Sequence, residues 1–465
     1  MTSNYKKPLI GLVAVAVLAF GGALAYALVP TSTRVIPDAA EPASQALIDA
    51  GRYVAVAADC VACHSAPGGK PFAGGLAMAS PIGTIYTTNI TPDKKTGIGN
   101  YSLNDFDRAV RHGITAHGGT LYPAMPYPSY ARMTDQDVTA LYAYFMHEVA
   151  PVEASNHETD IVWPLSMRWP LAIWRKVYAP GSPVQPAVLG QFSDQKLARG
   201  AYLVQGMGHC GSCHTARAAT MQEVSLGDGP AYLAGGQVID GWVAVNLRGD
   251  DANGLGRWSE QDIVDTLRSG RNSHSAVMGA PMNDVVSHSM QHMTDQDLHA
   301  MAAYLKSLPA APAGTANGDI RFAASDVTAK ALRTGQEGGR GGQLYLDNCA
   351  ACHRSDAVSN GKTFPALAGN PSVLQADPSS VIRLILGGAH LPSTKTAPSD
   401  LGMPAFGWRL SDDEAAQLVT FVRQSWGNTA PAATAEQVAK VRKSLSVAQM
   451  GNQIANEQQL VQPAH

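Results

Sequence analysis

The sequence has few charged residues and no excess of basic ones. Asp, Glu, Lys and Arg together make up 15% of the 465 residues, and the formal net charge is −3. Binding to nucleic acid needs a basic surface that faces the phosphates, so this balance argues against nucleic acid as a partner. The 45 glycines and 29 prolines follow no regular repeat, which excludes a collagen-like chain. The length predicts about two to four domains.

Signatures of several enzyme classes are also missing. No Ser/His/Asp constellation, phosphate-binding loop or carboxylate pair stands out from the rest of the sequence, so we assign no catalytic residue. Strand signals are sparse, whereas apolar residues at helical spacing are frequent. These patterns predict an all-α protein without a substrate-oxidising site of its own.

Cysteine is scarce, and all six cysteines belong to one repeated pattern, Cys-x-x-Cys-His. Six cysteines in an exported chain could form three disulfides, and a Cys-x-x-Cys pair is half of a zinc site. Neither explains a histidine after every pair, whereas covalent c-type haem does: two thioether bonds hold the macrocycle and the histidine becomes the proximal iron ligand. The three boxes are Cys60, Cys63 and His64; Cys210, Cys213 and His214; and Cys349, Cys352 and His353.

A haem iron that carries electrons usually has a second axial ligand, and methionine in that position raises its potential. A methionine beside proline follows each box: Met125 in Y-P-A-M-P-Y-P, Met282 in G-A-P-M-N, and Met403 in L-G-M-P-A-F. We predict that these three are the sixth ligands and lie in loops. Methionine is more often core filler than ligand. The nearest competitors in sequence are Met133, Met278 and Met293.

Each box belongs to a repeat of about 100 residues, a usual domain size. A glycine and aromatic run precedes the box, and a capped helix follows the methionine. The predicted caps of these last helices are Thr134, Thr294 and Ser411, each with an acid three residues later. Earlier helix starts are predicted at Ser102 and Ser259, and at Asp377-Pro378 with proline in the first helical position.

The repeat divides the chain into three tandem cytochrome c-type domains preceded by an N-terminal hydrophobic helix. Each domain is expected to hold one covalently bound haem c. The expected segments are 1–33 (membrane anchor or signal), 42–150 (first domain), 151–190 (Trp/Pro-rich linker), 191–309 (second domain), 310–334 (linker), 335–428 (third domain) and 429–465 (loose C-terminal tail).

The N-terminal segment carries Lys6 and Lys7 before the apolar run Leu9–Val29. That run is long enough to span a membrane as a transmembrane helix, although a cleaved signal peptide is the alternative. The lysines predict a cytoplasmic N-terminus, so either alternative places the rest of the chain in the periplasm.

Three of the seven tryptophans lie in the linker, at Trp163, Trp169 and Trp174. Packing between domains is one explanation. The other is a membrane-interface or partner-docking surface, beside a quinone site.

The sequence resembles the three-haem cytochrome c subunits of the membrane-bound alcohol, aldehyde and sugar-acid dehydrogenases of acetic acid bacteria. The matching stretches are S-P-I-G-T-I-Y-T-T-N-I-T-P-D from Ser80, Y-P-A-M-P-Y-P from Tyr122, W-P-L-S-M-R-W-P-L from Trp163, G-L-G-R-W-S-E from Gly254 and F-P-A-L-A-G-N-P from Phe364. The three methionines match the axial positions of that family.

The resemblance implies that electrons enter from a catalytic dehydrogenase subunit and leave to ubiquinone in the membrane. That partner would be a quinoprotein, a molybdopterin enzyme or a flavoprotein, accompanied by a small subunit. The chain would then be the electron-transfer subunit of an oxidoreductase complex. The alternatives are a free-standing membrane cytochrome that serves a terminal oxidase and, from another class, a haem peroxidase with one open iron.

Overall fold

The structure is a computed structural model of the 465-residue chain. It describes residues 6–31, 33–37, 43–179, 190–227, 229–277, 279, 281–311, 325–336, 339–358, 362–399 and 401–446. Contacts between Cα atoms divide the chain into two compact units, Met1–Gly190 and Gln191–His465. The first box lies in the first unit, and the other two boxes lie in the second.

The first unit is mostly helical. Its helices are α1 (Lys6–Leu28), α2 (Gln45–Ala57), α3 (Cys60–Cys63), α4 (Leu103–His112), α5 (Tyr127–Tyr130), α6 (Asp135–His147) and α7 (Trp169–Tyr178). Three short antiparallel strands, β1 (Ala77–Ser80), β2 (Gly83–Tyr86) and β3 (Asp160–Ile161), form a sheet in that order. The core lies between α2 and α6, where Val54, Leu141 and Phe145 are buried.

The second unit contains two modules of the same kind. The helices of the second module are α8 (Gln195–Tyr202), α9 (Gly211–His214), α10 (Glu260–Ser269), α11 (Met282–Asp284) and α12 (Asp295–Ser307). Leu203–Met207 and Val285–Ser289 are π-helical, and Met290–His292 is a 3₁₀ turn. Strands β4 (Val238–Ile239) and β5 (Trp242–Val243) form a two-stranded antiparallel sheet.

The third module has the helices α13 (Ser325–Arg333), α14 (Gly339–Asn348), α15 (Ala350–His353), α16 (Ser379–Gly387), α17 (Asp412–Gln424) and α18 (Ala435–Ser444). Strands β6 (Ala389–His390) and β7 (Gly402–Met403) pair antiparallel. Its core joins α14, α16, α17 and α18 around the fully buried Trp426.

The helix caps agree closely with those predicted. Reciprocal side-chain and backbone bonds join Ser102 to Asp105, Ser259 to Asp262 and Ser411 to Glu414. Thr134 and Thr294 cap α6 and α12. Each side chain accepts a hydrogen bond from the backbone N–H of the residue three positions later. Pro378 differs from the prediction: it is the N-cap, and α16 begins at Ser379, whose N–H donates to Asp377 Oδ1 at 2.8 Å.

Two segments predicted to be irregular contain helices. The predicted linker 310–334 includes α13, whose Ala329 and Leu332 are buried. The predicted loose tail 429–465 includes α18, which a Thr434–Gln437 capping box begins and whose Val438 and Val441 pack into the core. Burial of these valines explains why a polar segment still folds. Residues 312–324 and 447–465 lie outside the described residues.

In every module the helix before the box crosses the last long helix at a glycine. A Cβ atom added to Gly51, Gly200 or Gly341 would overlap the carbonyl oxygen of Ala140, Ala300 or Gln417, respectively. Only glycine lets the two backbones approach this closely, because any side chain would push the helices apart.

We expect Gly200→Ala to destabilise the second unit by about 1–3 kcal/mol, the usual cost of overpacking a fixed contact. The midpoint of urea unfolding should therefore fall. Gly190→Ala is the matched control, because nothing lies within 4 Å of the Cβ it adds. Equal midpoints for the two variants would contradict a close crossing at Gly200.

Candidate haem sites

Each box forms a short helical turn directly after a longer helix or its π-helical extension. The backbone N–H of the histidine donates to the carbonyl of the first cysteine at 3.0 Å in the first box and at 2.9 Å in the other two. The two cysteines and the histidine therefore occupy positions i, i+3 and i+4, which share one helical face. This arrangement presents two sulfurs and an imidazole to the same side.

The three histidines make the same hydrogen bond. The Nδ1 atom of His64 lies 2.7 Å from the carbonyl oxygen of Thr88. The corresponding distances are 2.8 Å from His214 to the carbonyl oxygen of Val245 and 3.2 Å from His353 to that of Pro365. A carbonyl oxygen can only accept, so Nδ1 carries the proton and donates. The other nitrogen, Nε2, then keeps its lone pair in the neutral ring, which is the form that binds a metal.

Burial also favours that neutral form. It lowers the pKa of His64, His214 and His353 below the ordinary value for histidine, and the hydrogen bond to the carbonyl opposes the shift only in part. A protonated ring would have no lone pair for iron, so the enclosed position preserves the ligand over the neutral pH range.

The first cysteine of each box is held in its protonated form. Burial raises the pKa of Cys60, Cys210 and Cys349 to about 12. Among the described residues, no group of three or more His, Cys, Asp or Glu side chains is arranged to hold a metal ion. A structural zinc site needs four ligands, and the described residues offer no such group around a box, so the arrangement does not fit zinc.

The second and third boxes line one cavity of about 380 Å³. The structure thus brings together all eight site residues predicted for the second unit. The lining includes Cys210, Cys213, His214 and Met282 together with Cys349, Cys352, His353 and Met403. Most other lining residues are apolar, as a buried tetrapyrrole requires.

Two of the proposed methionine ligands do not lie in loops. Met282 is the first residue of the short helix α11, and Met403 belongs to strand β7, which pairs with Ala389. Met125 is half-buried in the turn before α5, where its N–H donates to the Tyr122 carbonyl at 3.2 Å. The described contacts do not join Met125 to His64, so that pairing stays a prediction.

The competing methionines fall into two groups. Met133 and Met293 are buried core residues, and Met278 lies outside the described residues. Met290 and Met301, which the sequence did not single out, are buried and also line the cavity.

A buried polar group tests whether haem suits this cavity. Trp258, which lines it, is only 7% exposed, and its indole Nε1–H has no hydrogen-bond partner among the described residues. A buried donor without a partner is costly, and a haem propionate is an acceptor of the right kind. The donor, the apolar wall and the two boxes together fit haem. In the sequence, Trp258 directly precedes the predicted helix start at Ser259.

The sequence reasoning missed the residues that orient the histidines. Thr88, Val245 and Pro365 act through backbone carbonyls, which leave no side-chain signature. Asn89 directly follows Thr88, and Asn246 directly follows Val245. The side-chain oxygen of each asparagine accepts a hydrogen bond from the backbone N–H two residues later. The similar strings T-T-N-I at 87–90 and A-V-N-L at 244–247 were the available signal.

Comparison with known families agrees with this geometry. The family model for cytochrome c matches residues 48–147, 197–309 and 339–426. The chain belongs to the cytochrome c family. Membership implies covalently bound haem c, and each matched stretch contains one of the three boxes.

Three relatives of this cytochrome are similar over most of their length. The gluconate 2-dehydrogenase cytochrome c subunit of Pantoea cypripedii is 54% identical, over 89% of this chain and 93% of the relative. The alcohol dehydrogenase (quinone) cytochrome c subunit of Gluconobacter oxydans is 51% identical, over 87% of this chain and 84% of the relative. The fructose dehydrogenase cytochrome subunit of Gluconobacter japonicus is 38% identical, over 94% and 90%. The resemblance inferred from the sequence is therefore confirmed.

Proposed function

We propose that this cytochrome is a three-haem electron relay that carries electrons from a catalytic dehydrogenase subunit to ubiquinone. The observation that carries the proposal is the hydrogen bond repeated in all three boxes, from histidine Nδ1–H to a backbone carbonyl. It prepares three imidazoles, in three separate modules, to donate Nε2 to iron. Haem c, when bound, supplies one-electron chemistry at iron.

The chain's own residues would hold and tune these haems. The thioether bonds would be formed by Cys60 and Cys63, Cys210 and Cys213, and Cys349 and Cys352, and the sixth ligands would be Met125, Met282 and Met403. Filling both axial positions leaves no place on iron for an organic substrate, so the oxidation itself takes place in the partner subunit. The corresponding domains are 42–150, 191–309 and 335–428.

The relatives support a dehydrogenase partner. They are named as cytochrome subunits of gluconate, alcohol and fructose dehydrogenases, which differ in substrate. We propose the same kind of complex for this chain, with a quinoprotein, molybdopterin or flavin subunit and a small subunit. Purification in mild detergent tests it: a co-purifying large subunit with its own organic or molybdenum cofactor is expected. A lone chain would favour the free-standing cytochrome that serves an oxidase.

The state of the haems separates the relay from a haem peroxidase. With both axial positions filled, the reduced and oxidised spectra should be low-spin and carbon monoxide should bind weakly. A large high-spin fraction, together with peroxide turnover, would favour the peroxidase instead.

Helix α1 supports attachment to the cytoplasmic membrane. Among the described residues, one segment, Gly11–Leu28, is long and apolar enough to cross a membrane, with a mean hydropathy of 2.2. A signal sequence near the N-terminus would have a similar length and apolar composition. We propose that α1 is retained as an anchor and that the haem domains face the periplasm.

Helix α7 packs directly against this proposed anchor. The Phe20 and Trp169 rings meet edge to face, with centroids 5.5 Å apart. Lys176 Nζ donates to the Tyr26, Ala27 and Val29 carbonyls, which lie at or just after the C-terminal end of α1. Unpaired carbonyls at a helix end need such a donor, especially near lipid.

The loop before α7 leaves Trp163 78% exposed, next to this packing. Tryptophan at such a place is typical of the membrane interface. We therefore expect Trp163→Ala to slow ubiquinone reduction in membranes or to weaken retention in the complex. Trp408→Ala is the control. Trp408 is also well exposed, at 69%, but it belongs to the third module and therefore to the compact unit that does not contain α1. Unchanged quinone reduction and assembly in Trp163→Ala would remove the interface role.

A further inference from the structure

The second and third boxes line one cavity, whereas tandem cytochrome domains need only one pocket each. His214 and His353 line the same cavity, and so do Met282 and Met403. The surrounding wall is built from both modules, with Leu267 from α10 and Val381 and Ile385 from α16 among its apolar residues. A cavity that extends between two modules places their bound groups in one environment.

The two modules are held together by specific contacts. The buried Val243 N–H donates to Ser380 Oγ at 2.8 Å. Asn283 Nδ2 donates to the His390 carbonyl at 2.8 Å, which links α11, where Met282 lies, to strand β6, the partner of the Met403 strand.

Further contacts surround the same boundary. The Lys395 N–H donates to Gln291 Oε1 at 3.0 Å, and the Arg383 guanidinium lies 5.8 Å from the Trp242 ring centroid. Lys362 forms an ion pair with Asp265. Hydrogen bonds, a cation–π contact and an ion pair across one boundary hold the two halves of the cavity in register.

We propose that this cavity is a single two-haem site, in which the oxidation state of the second haem changes the reduction potential of the third and the reverse. The proposal rests on the proposed function, because it assumes haem at both boxes. With haem held at both boxes, the exchange between them would be a one-electron step: one iron would be oxidised as the other is reduced, without a proton or another reactant.

The physical reason is the charge on iron. Ferric haem carries one more positive charge than ferrous haem, so an oxidised neighbour makes reduction easier and a reduced neighbour makes it harder. An apolar wall screens this interaction less than water does. The coupling must also be reciprocal, because it is one free energy shared by two sites.

The test uses Met282→Leu and Met403→Leu in the full chain, each followed by a redox titration monitored by absorption and by low-temperature electron paramagnetic resonance (EPR). Each substitution should lower the potential of its own haem. One of the two haems has the higher potential. In the variant that lowers this potential, the midpoint potential of the other haem should rise. That other haem then titrates beside a ferric neighbour instead of a ferrous one. Met293→Leu, a buried methionine outside the cavity lining, should change neither midpoint.

The results separate the two proposals. One outcome is that each variant lowers only the potential of the haem whose methionine is replaced, with the potential of the other haem unchanged. In that case the two-haem site is wrong and the electron relay stands. If neither variant changes its own potential, the proposed methionine ligands are wrong.

A further measurement on the unaltered protein then decides the coupling. In the fully oxidised protein two paramagnetic irons in one cavity should broaden each other's EPR signals, and partial reduction should sharpen the signal that remains. Signals that simply add at every potential would overturn the two-haem site.

Discussion

Replacing Cys349 and Cys352 with serine is expected to lower the number of covalently attached haems from three to two. Serine oxygen cannot form the thioether bonds, so the third box loses its attachment to the macrocycle. Mass spectrometry of the denatured chain should show a loss equal to one haem. The haem stain of the boiled band in SDS gels should become correspondingly weaker.

The other two boxes provide matched variants. The double substitutions at Cys60 and Cys63 and at Cys210 and Cys213 should each remove one haem, and combining all three should leave a colourless band. Because the readout uses denatured protein, it does not depend on correct folding of each variant. A chain that keeps three attached groups after any of these substitutions would contradict the assignment of that box.

Met403→Leu is expected to leave the third haem attached and to lower its reduction potential. Thioether ligation favours the reduced iron, and leucine cannot replace it. Axial ligands set haem potentials over a range of roughly 0.8 V, so the shift should be a readily measured part of that range. Carbon monoxide should also bind the reduced third haem, because its sixth position is open in this variant.

Strand β7 makes this substitution a clean test of ligation. The Met403 backbone pairs with Ala389, and leucine can keep that pairing and most of the apolar volume. Met293→Leu provides the control for replacing a buried methionine. A potential and carbon monoxide affinity equal to those of the unaltered protein would place the ligand elsewhere in the cavity.

In the second module, Met290 and Met301 also line the cavity with Met282. If Met282→Leu does not alter its haem, leucine substitutions at these two positions identify the ligand. The sequence favoured Met282 because proline precedes it, and that signal cannot distinguish it from methionines that folding brings to the same wall.

Local sequence patterns predicted the parts of the fold that depend on neighbouring residues. The predicted helix starts at Ser102, Ser259 and Ser411 are confirmed, and each forms a capping box, because a hydroxyl and an acid three residues later interact within one helical turn. The apolar N-terminal run forms helix α1, since its length and composition suffice.

Features that depend on distant residues were not predicted. Helix α18 is polar in sequence, yet it folds because Val438 and Val441 reach a core built by α16 and α17. Met403 was expected in a loop, but pairing with Ala389 places it in a strand. The carbonyls of Thr88 and Val245 orient two histidines without any side-chain signal.

The sequence by itself determined that this chain is a c-type cytochrome with three potential haem boxes. The reason is that attachment chemistry needs two thiols and an imidazole within five consecutive residues, a local requirement. Only the tertiary structure decided what surrounds the boxes. It set the tautomer of each histidine through a distant carbonyl, and it brought the second and third boxes onto one cavity, because packing between modules joins residues more than 100 positions apart.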